Sequence, residues 1–306
     1  MTHYLPWPME TAADQTSKNN DEVPRWMQPA SNISLDFHGD PLKAKLVVFS
    51  DGNHHMALLE VIRRFKQLHP EIQDVFYATT PPGVLLDIIK NAAITLGNLT
   101  LSRQPHVFIS PEFMLKKLYA SGAVNKYQAF MRSCGNVMLV RHGNPKGIEN
   151  LSSLLRDDVT LFLSNPKTET ASYQVYCNTL LSMARSAGIE SDAMQNYLDS
   201  ATSSILYGER IHHREAPQYV YDGRADVALV YYHLALRYTR IFPDQFSLVP
   251  LSGEGATPAD ETGNEQTSYF LSTMKSPGEF GQAFVEFCLT DEVAEIYRAH
   301  GLQRPV

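Results

Sequence analysis

The sequence between Leu46 and Phe65 predicts a buried strand, a polar turn and an amphipathic helix. Residues 46–49 are a continuous apolar run, which is typical of a parallel strand covered on both faces. After the turn at residues 50–55, apolar residues recur at helical spacing, so we expect a helix that begins close to Asn53. A strand that leads into a helix start presents unpaired backbone N–H groups and the positive end of the helix dipole. In α/β proteins ligands bind at such positions.

The same order of strand, polar turn and helix recurs along the chain and predicts mainly parallel sheets flanked by helices. A strand that ends before Thr79 and Thr80 leads to a helix that reaches about Asn91. Further buried strands are predicted at residues 107–110, 136–140, 159–163 and 227–231. The predicted fold class is therefore α/β.

The 306 residues are too many for one small core and predict two lobes. We expect an irregular, proline-rich arm at residues 1–44, with Trp7 and Trp26 as isolated apolar anchors. Lobe one is predicted at residues 45–135 and 267–306, and lobe two at residues 136–266.

Composition excludes several classes of protein. The formal net charge of -7 and the absence of any Lys/Arg run longer than two residues argue against a nucleic-acid partner. Three widely spaced cysteines predict buried thiols rather than a disulfide framework, although a single disulfide stays open. No basic segment followed by an apolar run opens the chain, and no stretch of about 18 apolar residues occurs, so we expect neither an export signal nor a membrane span.

Two histidine pairs are the first candidates for a functional site. They are His54-His55, in the first turn, and His212-His213, which is followed by Glu215. Two imidazoles and a carboxylate are ligands that zinc and other divalent ions prefer. Neighbouring helical residues point about 100° apart, so both histidines of a pair bind one ion only outside a regular helix. His54 and His55 are equally suited to capping a helix start.

Other residues favour an anion. Arg210 and Arg214 would repel a cation and suit an anionic or carboxylate ligand, unless they pair with neighbouring glutamates. Thr79 and Thr80 offer hydroxyl donors at a helix start, where they are also ordinary capping residues. Residue chemistry alone therefore leaves the choice between cation and anion open.

A series of motifs in register resembles the periplasmic molybdate-binding proteins of ABC importers, over about residues 45–306. The motifs are residues 50–65, the Thr79-Thr80 turn, residues 105–110 and 136–140, Ser164-Asn165-Pro166 with Ala171, residues 222–231 and residues 280–301. The resemblance implies a two-lobed α/β fold of the periplasmic-binding-protein type, in which the lobes close over an oxyanion held in the ligand cleft between them. In that family hydroxyls, backbone N–H groups of helix starts and one tyrosine hold the ligand.

The resemblance also implies site residues by position. Asn53 stands where the family has a serine, and Thr79 or Thr80 matches the second serine turn. Ala171 falls at a backbone donor, and Tyr231 matches the tyrosine.

One departure from this pattern points to a metal. His213 lands where the family has an apolar residue, and the chain also resembles members of the fold that are assigned to metal binding. We therefore predict a non-catalytic solute-binding protein for a divalent metal ion, zinc or similar, with no organic cofactor, held by His54, His55, His212, His213 and Glu215. The alternatives are a tetrahedral oxyanion, and a metal-dependent enzyme with Glu215 as base. The enzyme is less favoured, because HExxH, P-loop and GxSxG patterns are absent.

The expected partners are a small inorganic ion and the membrane component of an ABC importer, and we expect a monomer. The family is periplasmic or extracellular, whereas this sequence shows no export signal, so either such a signal has been removed or the protein stays inside the cell. Localisation therefore stays open at the level of sequence.

Overall fold

The computed structural model describes residues 4–7, 36–96, 99–200, 204–253 and 258–305. No helix in these residues is long and apolar enough to cross a membrane. The strands in chain order are β1 Phe37–His38, β2 Leu46–Ser50, β3 Val75–Ala78, β4 Ile94–Leu96, β5 Leu99–Leu101, β6 Val107–Pro111, β7 Gln128–Ser133, β8 Asn136–Arg141, β9 Leu161–Leu163, β10 Ile205–Tyr207, β11 Val227–Tyr231, β12 Phe246–Val249, β13 Ser268–Thr273 and β14 Leu302–Gln303. The α-helices are α1 His55–Leu68, α2 Pro82–Asn91, α3 Glu112–Ala120, α4 Thr170–Ser186, α5 Ser191–Asp199, α6 His212–Tyr221, α7 Tyr232–Ile241, α8 Gly281–Cys288 and α9 Asp291–Ala299.

The described chain divides into two compact units. We call Ser133–Thr267, together with residues 4–7, the inserted unit. The flanking unit contains residues 36–132 and 268–305, on either side of it in sequence. The lobe boundaries at residues 136 and 266 are a prediction from sequence.

The flanking unit contains a sheet in the order β1-β3-β2-β6-β13-β7-β14. Strand β2 runs parallel to both β3 and β6. Strand β1 is antiparallel to β3, and β13 is antiparallel to β6 and β7. The carboxyl ends of three adjacent parallel strands therefore meet at one edge of this sheet.

Side chains of β2 alternate between the two faces of that sheet. Leu46 and Val48 join one apolar cluster with α1, α8 and α9, while Val47 and Phe49 join another with α2 and α3. All four side chains are fully buried. The strand predicted from the continuous apolar run is thus covered on both faces, and this prediction is confirmed.

The inserted unit contains a sheet in the order β10-β9-β11-β8-β12. Strand β9 is parallel to β10 and β11, whereas β8 is antiparallel to β11 and β12. The α/β fold class is confirmed in both units. Each sheet combines three adjacent parallel strands with antiparallel ones, a mixture that the alternating sequence pattern does not predict.

Residues 4–7 pack on the inserted unit. Leu5 is buried, and its N–H donates to Gln218 Oε1 at 2.9 Å. The Trp7 ring meets Tyr238 and Phe242 edge-on, with centroids 5.9 and 5.1 Å apart. Most of the predicted arm at residues 1–44, including Trp26, lies outside the described residues.

Candidate functional site

Polar residues occupy the carboxyl edge of the three parallel strands in the flanking unit. Ser50 ends β2, the Thr79-Thr80 turn follows β3, and Ser110 lies near the end of β6. Each of these strands leads into a helix within a few residues, and the helices are α1, α2 and α3. The edge therefore gathers hydroxyl groups beside several helix starts.

Two of these hydroxyls have no hydrogen-bond partner among the described residues. Thr80 Oγ1 and Ser110 Oγ are fully buried and unpaired. The Thr79 hydroxyl, in contrast, lies 3.4 Å from the carbonyl oxygen of Asp36 and 3.2 Å from His38 Nε2. An unpaired buried hydroxyl costs about 1–3 kcal/mol, so a ligand that pairs with Thr80 and Ser110 would remove a cost that the described residues leave in place.

The turn after β2 is held by a buried carboxylate. Asp51 accepts the backbone N–H of Asn53 at 2.8 Å and thereby caps the short 3₁₀ helix Gly52–His54. Burial raises the pKa of Asp51 to about 6, and the hydrogen bond from Asn53 opposes this shift. A Cβ at Gly52 would lie 2.3 Å from the Thr79 carbonyl oxygen, so this turn packs directly on the Thr79-Thr80 turn.

His54 lies in the core of the flanking unit. Its side chain is fully buried, with Nδ1 2.9 Å from Tyr297 Oη and Nε2 3.2 Å from Ser50 Oγ. The Tyr269 ring packs against it, with centroids 4.8 Å apart. Both ring nitrogens therefore have partners within the protein, which argues against the predicted role of His54 as a metal ligand.

His55 begins α1 and is partly buried. Its Nδ1 lies 2.8 Å from the carbonyl oxygen of Gly52, so the imidazole holds the turn that precedes its own helix. The alternative prediction, in which the pair caps the helix start by accepting backbone N–H groups, does not match these contacts: His54 makes no side-chain capping bond to α1, and His55 faces a carbonyl oxygen.

The carboxyl ends of the parallel strands in the inserted unit also carry polar turns. Ser164 follows β9, is fully buried, and accepts a hydrogen bond from Ser172 Oγ at 2.9 Å. The next residue, Asn165, donates its side-chain amide to the carbonyl oxygen of Gly208, beyond β10. These contacts bring the turn before α4 next to the loop before α6.

Two glutamates accept the backbone N–H groups at the start of α6. Glu169 Oε2 accepts the N–H of His212 at 2.9 Å, and Glu215 Oε2 accepts the N–H of Arg210 at 3.0 Å. Burial raises the pKa of Glu169 to about 7, and the nearby charge of Glu215 contributes to that rise. Burial also raises the pKa of Glu215. The predicted ligand Glu215 thus has a partner in the loop before α6.

The second histidine pair divides between two environments. His212 is almost fully buried, with its ring stacked on Phe162 at 5.0 Å between centroids. Burial lowers its pKa to about 3, and its Nδ1 has no hydrogen-bond partner among the described residues. His213 is partly buried, and its carbonyl oxygen accepts a hydrogen bond from the Tyr238 hydroxyl. The two histidines of this pair therefore differ in burial.

The two remaining predicted residues differ in exposure. Tyr231 ends β11 and is buried, and its hydroxyl accepts a hydrogen bond from Thr267 Oγ1 at 3.3 Å. Ala171 is an exposed residue in the first turn of α4. No group of three or more His, Cys, Asp or Glu side chains within the described ranges has an arrangement that could hold a metal ion.

Sequence reasoning missed Ser110 and Glu169. A serine that closes the apolar run Val107-Phe-Ile was an available signal for Ser110, since hydroxyl-bearing residues also stand at the carboxyl ends of the other two parallel strands, β2 and β3. Glu169 had no local signal, because its acceptor role depends on the start of α6.

A family model matches most of the chain. The family is described as bacterial extracellular solute-binding protein, and its model matches residues 46–303. A search of curated proteins finds no match.

Solved structures with low sequence identity have the same fold. The periplasmic molybdate-binding protein of Azotobacter vinelandii is 16% identical with a TM-score of 0.58, and the match covers 85% of this chain and 100% of that one. The sulfate-binding protein SubI of Mycobacterium tuberculosis is 16% identical with a TM-score of 0.60, over 85% and 86% of the two chains. Iron-bound HitA of Pseudomonas aeruginosa is 15% identical with a TM-score of 0.55, over 83% of each chain. These matches confirm the predicted resemblance to periplasmic binding proteins of the molybdate-binding type.

Proposed function

Since the chain belongs to the family of bacterial extracellular solute-binding proteins, we propose that it binds a small oxyanion, of the class of molybdate and sulfate, and catalyses no reaction. The observation that carries this proposal is the pair of buried hydroxyls Thr80 Oγ1 and Ser110 Oγ, which have no partner among the described residues. An oxyanion supplies the acceptors that such hydroxyls lack.

The helices that follow these hydroxyls support an anion. Pro81 and Pro111 are the N-cap residues of α2 and α3, and neither makes a side-chain capping hydrogen bond. Gly83, in the first turn of α2, faces open space, since a Cβ placed there would contact nothing within 4 Å. Helix starts of this kind attract negative charge through unpaired N–H groups and the helix dipole.

The contacts of the histidines lead us to place the oxyanion, our alternative from sequence, ahead of the divalent metal. His54 has partners on both ring nitrogens, and of the two histidines at the start of α6 one is fully buried and the other only partly. Because one structural neighbour is an iron-bound protein, cations are also included among the ligands to be tested. By family membership we further propose that the bound ion passes to the membrane component of an ABC importer.

The first experiment removes the unpaired hydroxyls one at a time. Thr80→Val keeps the side-chain shape, and Ser110→Ala removes a single oxygen. Each should weaken oxyanion binding by about ten- to a hundredfold, since a hydrogen bond to a charged group is worth roughly 1.5–3 kcal/mol. Isothermal titration with molybdate, sulfate and phosphate measures the change, and Thr95→Val, at an exposed threonine of the same unit, is the matched control.

Unliganded Thr80→Val should melt no lower than the wild type, because the hydroxyl that it removes has no partner to lose. Full anion affinity in both hydroxyl variants would contradict the proposal. So would a thermal shift with zinc or iron that disappears in His212→Ala while the anions give none. That result would restore the metal interpretation.

A further inference from the structure

In the flanking unit, Asp51 is the neighbour of Ser110 across the pairing of β2 with β6. Ser50, the last residue of β2, lies opposite Ile109 in this parallel pairing. The backbone N–H of Asp51 donates to the carbonyl oxygen of Ile109 at 2.9 Å, so the pairing continues past the end of β2. Asp51 is therefore level with Ser110, at a separation of about one strand spacing, roughly 4.8 Å.

Thr80 occupies the matching position on the other side of β2. Phe49 lies opposite Ala78 in the parallel pairing of β2 with β3, so Asp51 and Thr80, each two residues further along, are level as well. The turns that follow these strands stay in contact, because a Cβ at Gly52 would lie 2.3 Å from a backbone oxygen of the turn after β3. Asp51 thus lies between the residues that carry the two unpaired hydroxyls.

Strand alternation assigns the three residues to one face of the sheet. The residues two positions before them belong to the apolar cluster with α2 and α3, and they are Ala78, Phe49 and Phe108. Residues two positions apart along a strand share a face. Thr80, Asp51 and Ser110, which we call the polar row, therefore lie on the face covered by α2 and α3. All three are buried.

The middle of the polar row is a carboxyl group that the flanking hydroxyls do not stabilise. Neither Thr80 Oγ1 nor Ser110 Oγ has a hydrogen-bond partner among the described residues, whereas Asp51 Oδ1 accepts the N–H of Asn53. Burial raises the pKa of Asp51 to about 6, and no charged side chain of the described chain contributes to that shift. When it is ionised, this carboxylate repels any anion that the two hydroxyls would bind.

Other titratable side chains near the polar row have to be separated from Asp51 in a test. They are His54 and His55 after β2, Asp36 and His38 beside the Thr79-Thr80 turn, Glu112 at the start of α3, and Tyr297, which contacts His54. Glu112 forms an ion pair with Lys116 at 3.0 Å. An imidazole that gains a proton also favours an anion at low pH, so a pH effect is assigned only by a variant at Asp51.

We propose that the protein binds its oxyanion together with one proton, which the Asp51 carboxylate takes up. The inference rests on the proposed function and concerns the same site. The proton adds to Oδ2, while Oδ1 keeps the N–H of Asn53, and the neutral carboxyl group then offers an O–H donor between the two hydroxyls. Affinity for an oxyanion of fixed charge is therefore highest in acid and falls as the pH rises through about 6.

The test is isothermal titration with sulfate at pH 5, 6, 7 and 8, since the charge of sulfate is constant over this range. The dissociation constant of the wild type should rise at least about tenfold between pH 5 and pH 8, because an ionised Asp51 has to be neutralised first. At pH 7 the heat of binding should also depend on the ionisation enthalpy of the buffer, as it does when a proton is taken up with the ligand.

The decisive variant is Asp51→Asn, which keeps an acceptor for the Asn53 N–H and carries no charge. It should bind sulfate equally well at pH 5 and pH 8, with no uptake of protons. Asp51→Ser, which also retains a capping oxygen, gives the same test if the asparagine variant does not fold. Asp87→Asn, at an exposed aspartate of α2, is the matched control and should keep the pH profile of the wild type.

Two results would overturn this inference alone. One is a wild-type affinity for sulfate that stays constant or increases as the pH rises. The other is a pH profile that persists in the Asp51 variants, which would assign the effect to the imidazoles. If the wild type binds neither sulfate, molybdate nor phosphate at any of these pH values, the proposed function fails and the inference fails with it.

Discussion

Asp51 and Glu169 share one arrangement at the scale of single residues. Asp51 is buried and Glu169 is half-buried; each carboxylate accepts a backbone N–H at the start of a helix, and each has a raised pKa. A hydrogen bond to the charged form lowers a carboxyl pKa and burial raises it, so the upward shifts show that burial dominates at both positions. Both residues are therefore least costly to the fold when they are protonated.

The pH dependence of stability should reveal this cost at Asp51. Its pKa rises from 3.8 to about 6 on folding, so its favourable contribution is complete below pH 3.8 and is lost as the pH rises through 6. Asp51→Asn keeps an acceptor for the Asn53 N–H and carries no charge. Above pH 6 it should exceed the wild type in unfolding free energy by on the order of 2–3 kcal/mol, at about 1.36 kcal/mol per pKa unit.

Urea denaturation at pH 4, 5, 6, 7 and 8 measures that difference, which should shrink as the pH falls below 6. Asp87→Asn, at an exposed aspartate of α2, is the control and should show no such trend. A constant difference across the range would contradict the role of burial at Asp51.

At the scale of elements, the contact between the turns after β2 and β3 explains why this edge holds hydroxyls in fixed positions. Because Gly52 has no side chain, its backbone can lie close to the carbonyl oxygen of Thr79. A Cβ at this position would clash with that backbone oxygen, which cannot move aside as the end of a flexible side chain can. The parallel pairing of β2 with β3 fixes the two turns at the same height. The position of Thr80 therefore depends on a residue of the neighbouring turn.

Substitution of Gly52 by alanine should separate these turns. We expect Gly52→Ala to lose about 1–3 kcal/mol of unfolding free energy, as overpacking of a tight contact does, and to weaken anion binding. Gly83→Ala is the matched control, because nothing lies within 4 Å of the new Cβ, and it should be as stable as the wild type or slightly more so. Thermal unfolding compares the two, and equal melting temperatures would refute the close approach.

At the scale of the whole molecule, residues 4–7 are part of the inserted unit despite their distance from it in sequence. Trp7 contacts two aromatic rings of α7 and its C-cap, and the Arg237 guanidinium lies 5.6 Å from the centroid of its ring. The predicted anchoring role of this tryptophan thus has a definite location, on α7.

Removal of that anchor should destabilise the protein. Trp7→Ala should cost about 2 kcal/mol of unfolding free energy, less than a fully buried tryptophan because Trp7 is only partly buried. Tyr4→Ala, at a side chain that is 64% exposed, is the control and should change little. Guanidinium denaturation provides both values, and equal losses would show that the Trp7 contacts contribute nothing measurable.

Local patterns predicted much of the fold and less of the site. The apolar runs of β2, β6, β8 and β11 and the helical spacing of α1 were sufficient to predict these elements, because the side chains that form each apolar pattern are the ones that the element buries. The antiparallel neighbours of the parallel strands were not predicted, since strand order depends on pairings far apart in sequence. The short strand β10, for example, is recognisable only through its pairing with β9.

The site was harder to predict because its chemistry depends on distant partners. His54 looks like a ligand in sequence, but its Nδ1 contact is the hydroxyl of Tyr297, in the last helix. Thr79 and Thr80 are indistinguishable in sequence, yet only the Thr80 hydroxyl lacks a partner in the described chain. The site predicted from sequence therefore included both threonines and did not identify Thr80 as the one with the unpaired hydroxyl.

The three cysteines are buried thiols that form no disulfide in the described chain, which agrees with the prediction from sequence. Burial raises the pKa of both Cys177 and Cys288, so neither forms the reactive thiolate readily while the fold is intact. Cys288 belongs to the flanking unit, and Cys134 and Cys177 belong to the inserted unit. The order in which an alkylating reagent modifies these thiols should therefore record which unit exposes its interior first.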